Sequence, residues 1–253
     1  MKFSNSSNRI FTIPNLTVRA LSPELMDNPH SSKEKLYRTL QQFESINRYL
    51  SNYRYLFKKY IVPDLYISNN ACPTLVDIGC GGGDFLQWVA RWGKKNKRTL
   101  QLIGIDNDPR VIQFAQKRCL AYSNISIQSW DVFELQEFPQ KIDYISANNF
   151  IHHFPSSILP SLLKIISKKA QRGIIINDIV RNRFAYLTYS MICFLLWRNS
   201  FAFYDGRLSI AKGLRKNEIS EMIEKSGESE KLRFETNLPF RFSIVSHILT
   251  QGQ

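Results

Sequence analysis

The sequence predicts an α/β fold, a mostly parallel sheet with helices on both faces, from three observations. An apolar run at 75–78 passes into Gly79, Gly81, Gly82 and Gly83 and then into a helical pattern. A second apolar run closes on Asp106 and is followed by Asn107-Asp108-Pro109, a helix start. Further runs of strand character at 125–131, 142–148 and 173–179 alternate with helical stretches. With 253 residues the chain has length for one such domain with appended elements, and not for two full-sized ones.

Residues 1–22 are polar and irregular and read as an arm, and 22–26 as a short helical turn. Over 31–57, Leu36, Leu40, Phe43, Ile46, Tyr49, Leu50, Tyr53 and Leu56 step by three and four, the spacing of an amphipathic helix or helix pair. Ser31 or Ser32, with Glu34 behind it, suits the helix start. Residues 1–70 are therefore taken as an N-terminal arm and helical segment, and 71–253 as the main domain.

The first strand holds Leu75, Val76 and Ile78. Gly79, Gly81 and Gly83 then supply a turn through backbone angles closed to residues with side chains, so the backbone can approach a ligand. The helical pattern of Phe85, Leu86, Val89 and Ala90 puts free N–H groups beside it. This suits a nucleotide, but the dinucleotide pattern G-x-G-x-x-G needs glycine where Asp84 stands. Carboxylates at Asp77 and Asp84 repel a pyrophosphate and favour a ligand with a cationic end. Asp106, closing the second strand, is placed to accept both ribose hydroxyls of a nucleoside, while Asp108 before Pro109 is the better helix cap.

Residues 109–120 form a helix with Val111, Ile112, Phe114 and Ala115 inward. The third strand ends at Asp131-Val132, and the fourth at Asn148, followed by Asn149-Phe-Ile-His-His-Phe154 and a helix after Pro155. Ligands of open α/β sheets lie beyond the carboxyl ends of the strands, so two of the four histidines stand at the reaction edge. One of His152 and His153 is assigned as general base, and the sequence does not distinguish them. The fifth strand, 173–179, is continuously apolar, as a central parallel strand should be, with Asn177 and Asp178 at its end. Residues 184–203 are aromatic and apolar nearly all round, so they are buried on two sides or line an apolar pocket. A helical insertion over about 181–212, a polar turn at 204–209, a helix at 217–225 and a closing hairpin of strands at 231–236 and 241–250 complete the order.

Net charge is +13 and the pI is near 9.7. The basic groups at Lys58-Lys59, 94–98, Lys168-Lys169 and 212–216 mostly fall near predicted helix ends, where the macrodipole favours cations, so a solvated surface is preferred to a nucleic-acid face. A peripheral contact with an anionic membrane surface is compatible with the same charge. Cys72, Cys80, Cys119 and Cys193 show neither CxxC pairing nor histidines at metal spacing, which predicts a reduced, cytoplasmic chain without a metal site. Residues 1–15 lack the apolar segment of a secretory signal, and the longest apolar stretch, 184–197, falls short of the roughly 20 residues that span a bilayer.

In order, Asp77, Gly79, Gly81, Gly83, Asp106 and Asp131 match class I S-adenosyl-L-methionine (AdoMet) methyltransferases, which the chain resembles over about 70–250. The resemblance implies a Rossmann-like class I methyltransferase fold: a seven-stranded, mostly parallel sheet, a helical N-terminal cap made by the helical segment within 1–70, and a helical insertion after strand five. It also implies AdoMet as cofactor, with Asp131 accepting from the adenine amine and Val132 covering the ring, and with Asn107 and Asn148 beside the cofactor. Arg48 and Arg54 are within reach of its carboxylate, although each also reads as a surface cation. A narrower set is similar to the small bacterial methyltransferases that accompany type III polyketide synthases, themselves similar to ubiquinone-pathway methyltransferases. It comprises Pro23 to Asp27, Arg38-Thr-Leu40, Phe43, Ile46-Asn-Arg48, Asn149 with His152-His153, Ile176-Asn-Asp178 and Asp205-Gly206 with Leu208-Ser209. That likeness implies a small lipophilic acceptor, phenolic or quinone-like, methylated by SN2 transfer at oxygen or carbon. The rivals are an RNA methyltransferase and a non-catalytic AdoMet-binding protein. Against the first, 148–151 reads Asn-Asn-Phe-Ile, not the Asn/Asp-Pro-Pro-aromatic pattern of amino-group methylation. Oligomeric state is not legible.

Overall fold

The computed structural model describes residues 13–68, 70–196 and 199–246. The first part of the arm, Trp197 of the aromatic stretch, and 247–250 of the last predicted strand lie outside the described residues. The seven strands are β1 Thr74–Ile78, β2 Gln101–Asp106, β3 Ile125–Ser129, β4 Ile142–Asn148, β5 Ala170–Ile179, β6 Leu232–Asn237 and β7 Arg241–Ser246. They form one sheet in the order β3-β2-β1-β4-β5-β7-β6. The first five are parallel, and β7 runs antiparallel to both β5 and β6. The closing hairpin thus lies at the sheet edge, with its last strand inside and β6 outermost.

Alternation along the strands divides the core in two. Val76, Ile145 and Ile174 face one side, under α6 Leu159–Lys169 and α9 Lys216–Ser226. Leu75, Tyr144 and Ile175 face the other, under α4 Asp84–Lys95 and α5 Pro109–Cys119. Asp108 caps α5, accepting from the Arg110 N–H.

The predicted helix over 31–57 divides. Ser32 caps α1 Lys33–Leu50, which ends before Asn52 in a left-handed conformation. Next come α2 Tyr53–Leu56, a π turn Phe57–Ile61 and α3 Val62–Ile67. Tyr53, Leu56, Phe57, Tyr60, Ile61 and Leu65 are buried on the α4 face, where the Phe57 ring meets Trp88 and Trp92 edge-on.

The insertion consists of α7 Arg183–Leu196 and α8 Ala202–Lys212. The expected polar turn at 204–209 is helical, because its polar groups find distant partners. Asp205 accepts from the Leu25 and Met26 N–H groups at 2.8 and 2.9 Å, and the Ser209 hydroxyl donates to Glu24 at 3.0 Å. Gly206 lets Tyr189 of α7 lie directly against the α8 backbone, and a Cβ there would overlap the Tyr189 hydroxyl, which donates to the Ala202 carbonyl. We expect Gly206→Ala to cost about 1–3 kcal/mol, measured by urea denaturation. Among the described residues no helix is long and apolar enough to cross a membrane.

Candidate active site

The glycine loop is held by its own strand geometry. Gly79, Gly81 and Gly83 have φ of +63°, +51° and +70°, and the N–H groups of Gly79 and Cys80 donate to the Ile105 carbonyl at 2.9 and 3.1 Å. This pins the turn across the end of β2. The Phe150 ring lies so close above Gly79 that a Cβ there would stand 2.5 Å from it.

Three carboxylates converge at this loop. Asp77 is buried, and burial, with Asp84 and Asp106 nearby, pushes its pKa up to about 8 even though the Ser146 hydroxyl donates to it at 2.6 Å. Burial also raises Asp84 and Asp106, the latter against the backbone N–H groups of Asp108 and Gly81 that donate to it. Buried acids held above their usual range are short of positive charge, which a ligand with a cationic end supplies.

One cavity of about 730 Å³ opens over the carboxyl ends of the strands. Asp77, Gly79, Gly81, Asp106, Asn107, Asp131, Val132 and Asn148, all expected at the cofactor, line it together. Gly83 is not in the lining; its left-handed backbone forms the N-cap of α4. Asp131 is exposed and also caps the following turn, accepting from the Phe133 N–H at 2.9 Å, so the structural and ligand-facing readings coexist. Arg48 and Arg54 are not in the cavity lining; Arg48 is exposed beside Tyr49, and Arg54 lies over the Tyr53 and Trp88 rings. Leu40, Phe43, Ile46, Asn47 and Leu50 of α1 roof the cavity.

Both histidines line the same cavity but differ in character. His152 is buried, and its Nδ1 lies 2.7 Å from Asp178 Oδ1. Asp178 is fixed in turn by N–H groups of Phe150, His152 and Ile179. His152 Nε2 makes no hydrogen bond and lies 3.6 Å from Glu24 Oε1, which also meets the Lys212 ammonium at 3.3 Å. Burial alone lowers an imidazole pKa, but the Asp178 and Glu24 carboxylates more than offset it and raise His152 to about 9. Against their own burial, Glu24 and Asp178 are held down at about 2, chiefly by His152. His153 is half-buried, with Nδ1 3.5 Å from Asp27 Oδ2 and its ring 4.4 Å from that of His152.

Glu24, His152 and His153 present ligand atoms within 4.8 Å of one another, a spacing able to hold a metal ion. The Lys212 ammonium already places a positive charge on the same Glu24 oxygen, so the cluster is better built to hold a proton. Glu24, Tyr189 and Arg241 also line the cavity. Tyr189 belongs to the aromatic stretch expected to line an apolar pocket or be buried, whereas Glu24 and Arg241 were not among the expected site residues. Pro23 to Asp27 folds against 205–209, which brings Glu24 to His152.

Residues 70–236 match the family described as methyltransferase domain. A carboxy-S-adenosyl-L-methionine synthase from Helicobacter pylori (strain HPAG1) is 24% identical over 121 residues, 48% of this chain and 47% of that protein. The chain therefore spans about half the length of the curated relative it matches. Among solved structures, human N-acetylserotonin methyltransferase in complex with SAM aligns with a TM-score of 0.58 and 13% identity, covering 85% of this chain and 56% of that one. The plantazolicin methyltransferase BpumL, in complex with a pentazolic desmethylPZN analog and SAH, aligns with a TM-score of 0.58 and 14% identity, covering 84% and 94%. At these identities the two structures establish the fold.

Proposed function

The chain belongs to the methyltransferase-domain family, and we propose that it transfers the methyl group of AdoMet to an ionisable oxygen of a small lipophilic acceptor, with His152 receiving the acceptor's proton. The single observation that carries this reading is that one cavity joins the glycine loop to the Asp178–His152–Glu24 cluster. AdoMet supplies an electrophilic methyl on a sulfonium centre. The chain supplies everything else: Asp106 suits the ribose, Asp131 and Val132 the adenine, and Asp77 with the loop backbone the cationic tail.

The acceptor end is walled by Phe154, Ile179, Ala185, Tyr189, Ile192 and Ile210, which suits a phenolic or quinone-like molecule and excludes water. Asp178 orients the imidazole through Nδ1, which leaves Nε2, buried and without a hydrogen bond, as the atom to take the proton, and Glu24 beside it would stabilise the imidazolium. Holding both reactants in line supplies most of the acceleration, with proton removal contributing about 10² to 10⁴. The sequence likeness to methyltransferases of type III polyketide synthase systems agrees with a phenolic acceptor.

The test is to incubate the purified protein with methyl-labelled AdoMet and a lysate of its source, then partition the label. Label in the organic phase is the expected result. Label in an RNase-sensitive precipitate would overturn it in favour of RNA methylation and give the +13 charge a function.

A further inference from the structure

We infer that Arg241 anchors an anionic group on the acceptor, so that the substrate is an acid as well as a lipophile. This rests on the methyl-transfer reading above and narrows its substrate class. Arg241 opens β7 beside the end of β5 and is buried, yet its side chain lines the cavity. Its hydrogen bonds run to neutral amide oxygens: Nε to Asn177 Oδ1 at 3.3 Å, and Nη2 to Asn148 Oδ1 at 3.5 Å and to Asn149 Oδ1.

Among the described residues Arg241 has no ion pair, whereas Arg110, Arg118, Arg172 and Arg181 are each matched to a carboxylate. The nearest source of negative charge, Asp178, has both oxygens committed to His152 Nδ1 and to three backbone N–H groups. Arg19 also lacks a carboxylate, but three backbone carbonyls at 2.5–2.8 Å take its donors and it does not line the cavity. A buried guanidinium facing a cavity without a counter-charge is costly unless a ligand provides one. The amide oxygens take Nε and Nη2 but not Nη1, which is left to donate to a carboxylate or a phenolate.

The amide cradle is itself braced. Asn149 adopts φ +54° and donates through Nδ2 to Asn47 Oδ1 at 2.9 Å, which leaves its oxygen for Arg241. Asn177 donates to Asn148 Oδ1 at 2.5 Å and to the Ser51 carbonyl. β7 lies three strand spacings from β1, about 14 Å, and the Arg241 side chain reaches the ends of β4 and β5, where it meets Asn148, Asn149 and Asn177.

The experiment loads the protein with S-adenosylhomocysteine and compares the binding of 2-hydroxybenzoate and 2-hydroxybenzyl alcohol, equal rings that differ in charge. Wild type is expected to prefer the acid by about tenfold or more. Arg241→Gln should abolish the preference and Arg241→Lys should retain part of it, with S-adenosylhomocysteine affinity within about twofold of wild type in both. Equal binding of the two probes by wild type would overturn the inference, as would a preference that survives in folded Arg241→Gln. Should the glutamine variant not fold, an undiminished preference in Arg241→Lys counts against it in the same way. A loss that falls on S-adenosylhomocysteine would assign the guanidinium to the cofactor's carboxylate and also overturn it. Failure of wild type to bind S-adenosylhomocysteine at all would refute the methyl-transfer reading independently of either probe.

Discussion

His152→Ala is expected to lower turnover by about 10² to 10⁴ while leaving AdoMet affinity within about twofold. The asymmetry follows from position. His152 lines the cavity from the loop after β4 and is not part of the glycine loop, with Nδ1 held by Asp178 and Nε2 free of any hydrogen bond. His153 is half-buried and tied only to Asp27, so His153→Ala should cost less than about tenfold. Single-turnover rates beside AdoMet titrations separate the two effects. Unchanged turnover in the His152 variant would remove it as base. His152→Ala also strips the positive partner from two buried acids, so its melting temperature belongs beside its rate.

Asp106→Ala carries the second large effect, a rise in AdoMet Kd of about 10²-fold, from two hydrogen bonds to a charged group. Its ligand-free stability should hardly fall. Burial already makes the site unfavourable for a carboxylate, and what Asp106 accepts from the protein are backbone N–H groups at the start of the next helix and in the glycine loop. The thermal stabilisation that AdoMet confers should therefore shrink far more than the ligand-free melting temperature. A variant that binds AdoMet normally would place the ribose elsewhere.

The parallel half of the fold was legible because continuous apolar strands, glycine at left-handed positions and Asp108 before Pro109 are local signals. The elements that were misread depend on partners remote in sequence. Residues 204–209 look like a turn until Asp205 is seen holding the N–H groups of Leu25 and Met26. The stretch after Asn52 carries on the helical spacing of α1, and only the structure shows Phe57 and Tyr60 buried on the sheet face. At the site, residue types at strand ends pointed to positions that share one cavity lining, with Gly83 at the N-cap of α4 beside it. Choosing between two adjacent histidines required knowing which ring faces Asp178, and no periodicity carries that. Glu24 and Arg241 reach the cavity from opposite ends of the chain, so neither has a local signature of function.

The pH dependence of single-turnover methyl transfer, with AdoMet saturating, tests the central claim most directly. His152 is protonated below about 9 in the free protein, so the base form grows as pH rises toward that value. The charged groups facing it are Glu24 and Lys212 from the arm and α8, Asp178 from β5, and Arg241 from β7 through Asp178. Saturation keeps the separate titration of Asp77, raised to about 8, from reporting as loss of cofactor. The expected wild-type rate climbs about tenfold per pH unit from 6 toward 9 and then levels, whereas His152→Ala should be slower throughout and keep rising past 9 as the acceptor itself ionises. A wild-type rate that is flat between pH 6 and 9 would contradict it.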